Sequence, residues 1–396
     1  MPNPTIKDVA RLARVSTATV SNVINGTSFV SAPLKARVQE AVAQLGFAPS
    51  KVAQGLRMQS TRLIGIVVAD ITNPFFSELV RRIGSIAASL GYNVLLCEAD
   101  HDPAKELSAL RLLAAHRVEG VILAPTGPPS MYFEPPISNF PRPIVMIDRV
   151  IPEVRFDGVS IDNRQAALDV TRHILSLGHV RIAAVAGWRH LSNTTERLEG
   201  FRAALAEFGL DPAEAPVIYA DFRQDRAREL SRDLLVGSRR PTALFVSNNE
   251  MVIGAMQAIT ELGLACPSDI SLAGIDDFPW ASAFAPRLTT ARQPIEALAE
   301  HGVRILHARI RGESGPPERV ILKARLIVRD SCAAPQANEV ATTLKPKDAR
   351  VKRLASVRKN ETLRAPLSKQ LQTSSEIEAD AKSSTGPFRR RILDDA

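Results

Sequence analysis

A chain of 396 residues with 45% hydrophobic and 23% charged side chains is globular by composition and long enough for two or three domains; no run of about 18 apolar residues offers a membrane span, and MPNPTIKDVARLA lacks the apolar stretch of a secretion signal. Cys97, Cys266 and Cys332 are far apart and in no CxxC spacing, which argues for a reducing cytosol and against disulfides or a zinc cluster. The net charge of +8 lies at the ends, with +6 in residues 1–62, +5 in 336–396 and −3 between, a basic head that suits a polyanion partner as well as a solvated surface.

Residues 1–46 read as three short helices. Thr5 with Asp8 makes a capping-box-like start for a helix whose Ile6, Val9, Ala10 and Ala13 share one face. Arg14-Val15 makes a turn, and Ser16 is placed to cap a second helix in VSTATVSNVIN, residues 15–25. There Val20, Val23 and Ile24 face inward, while Thr17, Ala18, Ser21, Asn22 and Asn25 face out. A surface built for solubility carries Lys and Glu. Short hydroxyl and amide groups instead allow close approach to phosphates and base edges. That favours the second helix of a helix-turn-helix over an ordinary amphipathic hairpin.

From Leu63 the pattern changes to apolar runs: LIGIVVAD (63–70), YNVLLCEA (92–99), GVILAP (120–125), PIVMIDR (143–149), RIAAVAG (181–187), TALFVSN (242–248) and ISLAGID (270–276). Amphipathic stretches such as 75–90, 103–116, 163–177, 196–208 and 249–262 lie between them. Buried strands alternating with helices imply parallel sheets in right-handed βαβ units, and seven or more strands imply two doubly wound sheets. After Pro335 the pattern stops. Leu363, Leu367 and Leu371 are interrupted by Pro366, so the tail is expected to be disordered.

TIKDVARLARVSTATVSNVIN closely resembles the DNA-binding head of the LacI/GalR family of bacterial transcription regulators. The resemblance continues to about residue 334 through GFAPSKVAQGLR, DITNPFFSELV, RVEGVILAP, SIDN, LGHVRIAAVAG, RLEGFRAAL, ALFVSNNEMVIGAM and SLAGIDDFPWASAFAPRLTTARQP. It implies an all-α helix-turn-helix head (1–47), a hinge helix (48–61) and a two-lobed α/β core like that of periplasmic sugar-binding proteins (62–335). The first lobe would span about 62–162 and 292–322, the second about 163–291 and 323–335, followed by a basic tail (336–396). It also implies Thr17, Ala18 and Asn22 as base-reading positions, and Thr5, Ser16, Thr19, Ser21 and Asn25 as phosphate contacts or caps. Ala53 and Leu56 match the hinge, where Leu56 would wedge into the minor groove. Phe47 departs from the usual Tyr and lacks its hydroxyl, so one common phosphate contact is missing.

In such cores the ligand sits at the carboxyl ends of the strands, between the lobes. Asn73, Asp148-Arg149, Asn248 and Asp276 end apolar runs there; each could instead cap a helix or make a turn. The resemblance implies an effector site of Phe75, Phe76 and Asp148 from the first lobe, Asn193, Arg197, Phe222, Asn248 and Asp276 from the second, and Gln293 from a crossover. Amides, carboxylates, a guanidinium fork and aromatic faces suit a polyhydroxylated ring. Asn249 stands where the family usually has Asp, removing a negative charge, and Arg189 and His190 beside Arg197 leave room for an acidic group. No P-loop, GxGxxG, HExxH or GxSxG motif occurs, and the seven histidines show no metal-ligand spacing. The expectation is a dimeric, ligand-controlled repressor of operator DNA in the bacterial cytoplasm, with a sugar-like effector and no cofactor, metal, membrane partner or catalysis. A solute-binding protein or sugar-handling enzyme on the same core is the alternative.

Overall fold

The computed structural model describes residues 4–26, 28–47, 60–237, 239–336 and 391–392. Helix α1 (Ile6–Ala13) starts where the Asp8 carboxylate accepts from the Thr5 N–H (2.9 Å) and hydroxyl (2.6 Å). Arg14, at φ 52°, turns the chain into α2 (Thr17–Asn25), whose first turn is satisfied by Ser16 Oγ accepting from the Thr19 N–H at 3.0 Å. Helix α3 (Ala32–Leu45) closes the head over Val9, Ala10, Ala13, Val20, Val38 and Ala41, all buried. Its Arg37 donates to the carbonyls of Ala13 (2.5 Å) and Arg14 (3.0 Å). Those are orphan acceptors at the end of α1, so one guanidinium fastens α3 to the turn that orients α2.

Two sheets form the core. The first comprises β1 (Leu63–Val68), β2 (Asn93–Glu98), β3 (Val121–Leu123), β4 (Ile144–Ile147), β5 (Asp157–Ile161) and β11 (Arg319–Leu322). Its strands are parallel in the order β11-β5-β4-β3-β1-β2. Helices α4 (Pro74–Ser89), α5 (Pro103–Ala115) and α10 (Ile295–Ile310) pack against it. The second contains β6 (Ile182–Ala186), β7 (Val217–Tyr219), β8 (Ala243–Val246), β9 (Ser271–Ile275), β10 (Thr289–Arg292) and β12 (Arg325–Ile327). Its order is β12-β10-β9-β8-β6-β7, with β12 antiparallel at the edge. Helices α6 (Asn163–Ser176), α7 (Ser192–Glu207), α8 (Gln224–Val236) and α9 (Asn249–Glu261) belong to this half. The chain passes between halves after β5, β10 and β11, so each lobe is discontinuous in sequence.

The apolar runs named from sequence are all strands. Strands β5, β7, β10, β11 and β12 lie outside those runs: β5, β10, β11 and β12 carry Asp, Ser, Thr or Arg, and β7 is a three-residue, half-buried edge strand. Helix α7 starts at Ser192 rather than 196. The Ser-Asn-Thr-Thr run reads as loop by local propensity, but burial of Asn193 and Thr194 holds it helical. In the tail, Arg391–Ile392 form a short strand, β13, parallel to β11. An edge strand such as β11 offers unpaired backbone groups for this pairing. The rest of the tail, and hinge positions Ala53 and Leu56, lie outside the described residues.

Close helix packing depends on two glycines. A Cβ on Gly200 of α7 would lie 2.1 Å from the Arg164 carbonyl of α6, and one on Gly254 of α9 would lie 2.1 Å from the Gln224 carbonyl of α8. Backbone cannot yield as a side chain does. Gly200→Ala is therefore expected to destabilise the protein by about 1–3 kcal/mol, measured by chemical denaturation; an unchanged midpoint would show that the helix pair tolerates separation. In the head, Ser16→Ala should cost about 1 kcal/mol and speed hydrogen exchange in α2 specifically. Equal protection of α2 in both proteins would remove the cap from the account.

Candidate effector cleft and nucleic-acid interface

The head presents one face of α2. Thr17, Ala18 and Asn25 are exposed, Ser21 and Asn22 half-buried, so the face is shallower than its pattern implies. Asn25 Nδ2 donates to Ser21 Oγ at 3.1 Å, and the Ser16 and Thr19 hydroxyls are 2.9 Å apart. These pairs stiffen a surface of short polar groups whose apolar side is anchored by Val20. Thr5 is exposed at the start of α1, beside Asp8.

The lobes meet at the carboxyl ends of their strands. After β1 the chain reaches Asn73, whose side chain caps α4 by accepting from the Phe75 N–H (2.9 Å). The next turn buries Phe75 and Phe76 edge to face, ring centres 5.1 Å apart. After β4, Asp148 adopts φ 66° and is buried with Arg149. Arg149 Nε lies 3.4 Å from Asp148 Oδ2, and its Nη1 donates to the Pro125 carbonyl at 3.0 Å. Its guanidinium sits over Phe76 of the first lobe (5.8 Å) and Phe222 of the second (5.3 Å). Burial draws the Arg149 guanidinium below its ordinary range, and Asp148 opposes that shift. Phe222, at φ 57°, occupies the space left by Gly187, where a Cβ would come within 2.1 Å of the ring.

From the second lobe come Asn193 and Arg197 on α7, Asn248 before α9 and Asp276 after β9, all buried, with Gln293 following β10. Arg197 donates to Asn163 Oδ1 (2.8 Å) and the Ser247 carbonyl (2.5 Å). Asn248 Oδ1 accepts from the Met251 N–H at 2.9 Å, so it serves as the cap of α9. Asp276 accepts from Gln293 Nε2 at 2.5 Å; burial raises its carboxyl pKa, with Arg197 opposing. The structure thus brings all nine of these side chains to the facing ends of the two sheets.

Several polar atoms there are buried without a hydrogen-bond partner among the described residues: Arg149 Nε, Asn193 Oδ1, Gln293 Oε1, Ser247 Oγ, Trp188 Nε1 and His101 Nδ1. They mix donors and acceptors, as a hydroxylated molecule requires. Two arginines face two aspartates, leaving little net charge. Arg189 and His190, considered from sequence for an acidic group, are exposed; Arg189 lies over Tyr219 at 3.7 Å, and His190 Nε2 is 3.0 Å from the Thr126 carbonyl. Arg149 was visible in sequence only as the residue after Asp148. Its lodging between rings 146 positions apart has no local signal, nor does the reciprocal pair of Asn73 and Asn249 amides (3.0 and 2.9 Å) joining the lobes. Among the described residues no group of His, Cys, Asp and Glu could hold a metal ion, and no helix is long and apolar enough to cross a membrane.

Comparison with known proteins matches residues 5–50 to "Bacterial regulatory proteins, lacI family" and 171–332 to "Periplasmic binding protein-like domain". The ribose operon repressor of Escherichia coli (strain K12) is 36% identical over 334 residues, 83% of this chain and 99% of the repressor. The HTH-type transcriptional repressor PurR of Photobacterium profundum is 33% identical over 83% of this chain and 98% of its own. Among solved structures, the lac repressor dimer bound to operator and the anti-inducer ONPF superposes with a TM-score of 0.74 at 29% identity, covering 84% of this chain and 99% of that one. A LacI family regulator from Enterococcus faecium with bound ribose has a TM-score of 0.63 at 29% identity, covering 69% of this chain and all of that one. With its helix-turn-helix head, two-lobed core and full-length similarity to these repressors, this chain belongs to the LacI family of bacterial transcription regulators.

Proposed function

We propose that this regulator is a repressor controlled by D-ribose or a close aldopentose, bound among Phe75, Phe76, Asp148, Asn193, Arg197, Phe222, Asn248, Asp276 and Gln293, with Arg149 as a further contact. The observation that carries the reading is the buried, charge-balanced cleft whose unpartnered donors and acceptors lie among phenylalanine faces. Ring hydroxyls pair with amides, carboxylates and guanidinium forks, and C–H faces of the sugar stack on aromatic rings. The charge balance disfavours a sugar phosphate. Support also comes from the similarity to a ribose operon repressor and to a ribose-bound regulator. The chain is read as having no chemistry of its own and acting in the bacterial cytoplasm as a dimer. Its head would be 1–47, its hinge 48–61 and its core 62–335, with Thr17, Ala18 and Asn22 reading bases and Thr5, Ser16, Thr19, Ser21 and Asn25 positioning the head on phosphates.

A ligand that bridges Asp148 on one lobe to Arg197 and Asp276 on the other biases how the lobes close. In a dimer this alters the spacing of two heads seated one helical turn apart. Calorimetric titration should show D-ribose binding to the wild type, and Asp276→Asn should lose roughly 1.5–3 kcal/mol of it, a charge-assisted hydrogen bond, while keeping ligand-free operator affinity. Wild-type ribose affinity in that variant would remove Asp276 from the site, and tighter binding of a purine than of ribose would overturn the ligand class. In the head, Asn22→Ala should weaken operator binding by about 1–3 kcal/mol and relax one base position. Selection of bound sequences from a random pool tests this; an unchanged preferred sequence would refute the assignment.

A further inference from the structure

We propose that His101 is a specificity-determining residue of this cleft, its ring seated against Phe222 of the opposite lobe and its Nδ1 hydrogen-bonded to the bound effector. The inference rests on the sugar reading above. Asp100 and His101 follow edge strand β2 with φ 48° and 55°, and Asp221 and Phe222 follow edge strand β7 with φ 58° and 57°. Consecutive non-glycine residues in the left-handed region are costly, and such strain persists only where surrounding contacts hold it. Here the two turns hold each other. The His101 and Phe222 rings stack at 6.2 Å and 26°, and Arg223 Nη2 lies 3.2 Å from Asp100 Oδ1. The His101 N–H donates to the Ala69 carbonyl at 3.2 Å, which fixes the base of the side chain.

Among the described residues nothing meets His101 Nδ1, although the atom is buried. The same Phe222 ring also carries the Arg149 guanidinium, which is ion-paired with Asp148 through Nε. His101 and Arg149 thus both pack against the ring that the second lobe brings to the seam. Leaving a buried donor or acceptor unmet is expensive, and an effector hydroxyl can meet either tautomer, since it both donates and accepts.

Burial keeps the ring neutral in this position. The charged groups around it are Asp70 after β1, Asp100 in its own turn, Arg149 after β4 and Arg223 before α8. Burial first, then Arg149, lower its pKa from 6.5 to about 3, with Asp70 and Asp100 opposing. Lobe opening removes Phe222 and Arg223 from the ring while Arg149, on the same lobe as His101, stays, so the ring regains solvent and its pKa rises from the closed value toward the ordinary one. Closure then expels a proton from a ring charged in the open form, so effector affinity is full above the open-form pKa and falls as pH drops through it.

Titration of the full-length chain with D-ribose at pH 7.5 and 5.5 tests this, comparing wild type with His101→Phe and His101→Asn. The wild type should bind more weakly at pH 5.5, by up to about tenfold. H101F keeps a ring for Phe222 but no nitrogen; it should lose roughly three- to tenfold at pH 7.5 and show no step with pH. H101N has an amide and tolerates the left-handed backbone; it should stay within about threefold of wild type, also without the step. Wild-type affinity in H101F at pH 7.5 overturns the contact, whether or not the step persists. Should H101F fail to fold, a pH step retained in H101N overturns it. A wild type that ignores D-ribose overturns the sugar reading, and this inference with it.

Discussion

One buried cation ties the halves of the core together. Arg149 belongs to the first lobe, yet its guanidinium is covered on one side by Phe76 and on the other by Phe222 of the second. Withdrawing such a charge from water costs several kcal/mol unless it is compensated. Asp148, 3.4 Å from Nε, the Pro125 carbonyl and two aromatic faces supply much of that compensation. Because Phe222 arrives only with the second lobe, the desolvation of Arg149 and the closing of the cleft are one event. A ligand that binds better to the closed arrangement stabilises it, and by linkage anything that favours closure favours that ligand.

The seam is otherwise economical in charge. Asn73 and Asn249 exchange two amide hydrogen bonds across it, at a position where LacI/GalR resemblance leads one to expect Asp. An aspartate there could accept only one of the two bonds, and would add a third carboxylate beside Asp148 and Asp276. The neutral pair joins the first turns of α4 and α9 and leaves the two arginines and two aspartates of the cleft in balance. That balance favours the proposed sugar-like ligand over an anionic one.

The head obeys a different rule. Its core is small, so backbone termini matter more: Asp8, Ser16 and Arg37 each satisfy helix-end groups. With the helices held this way, the outer face of α2 is free to carry Thr, Ser and Asn, which contribute little to helix stability.

Much of this was legible along the chain. Helix ends in the head follow from capping chemistry between residues three apart, and the longer strands follow from continuous apolar runs, because both signals are local. Polar residues closing apolar runs marked the floor of the cleft for the same reason: a parallel strand must release its chain at the carboxyl end. Strands β5, β7, β10, β11 and β12 were not legible, since they form no continuous apolar run and pair with neighbours far off in sequence. Nor were the partners of Arg149, the Asn73–Asn249 pair or the meeting of His101 with Phe222, each joining residues 73 to 176 positions apart. A sequence declares which groups are polar and which segments are buried. Which buried polar atoms find partners, and which are left for a ligand, is decided only when three chain crossings bring the two sheets face to face.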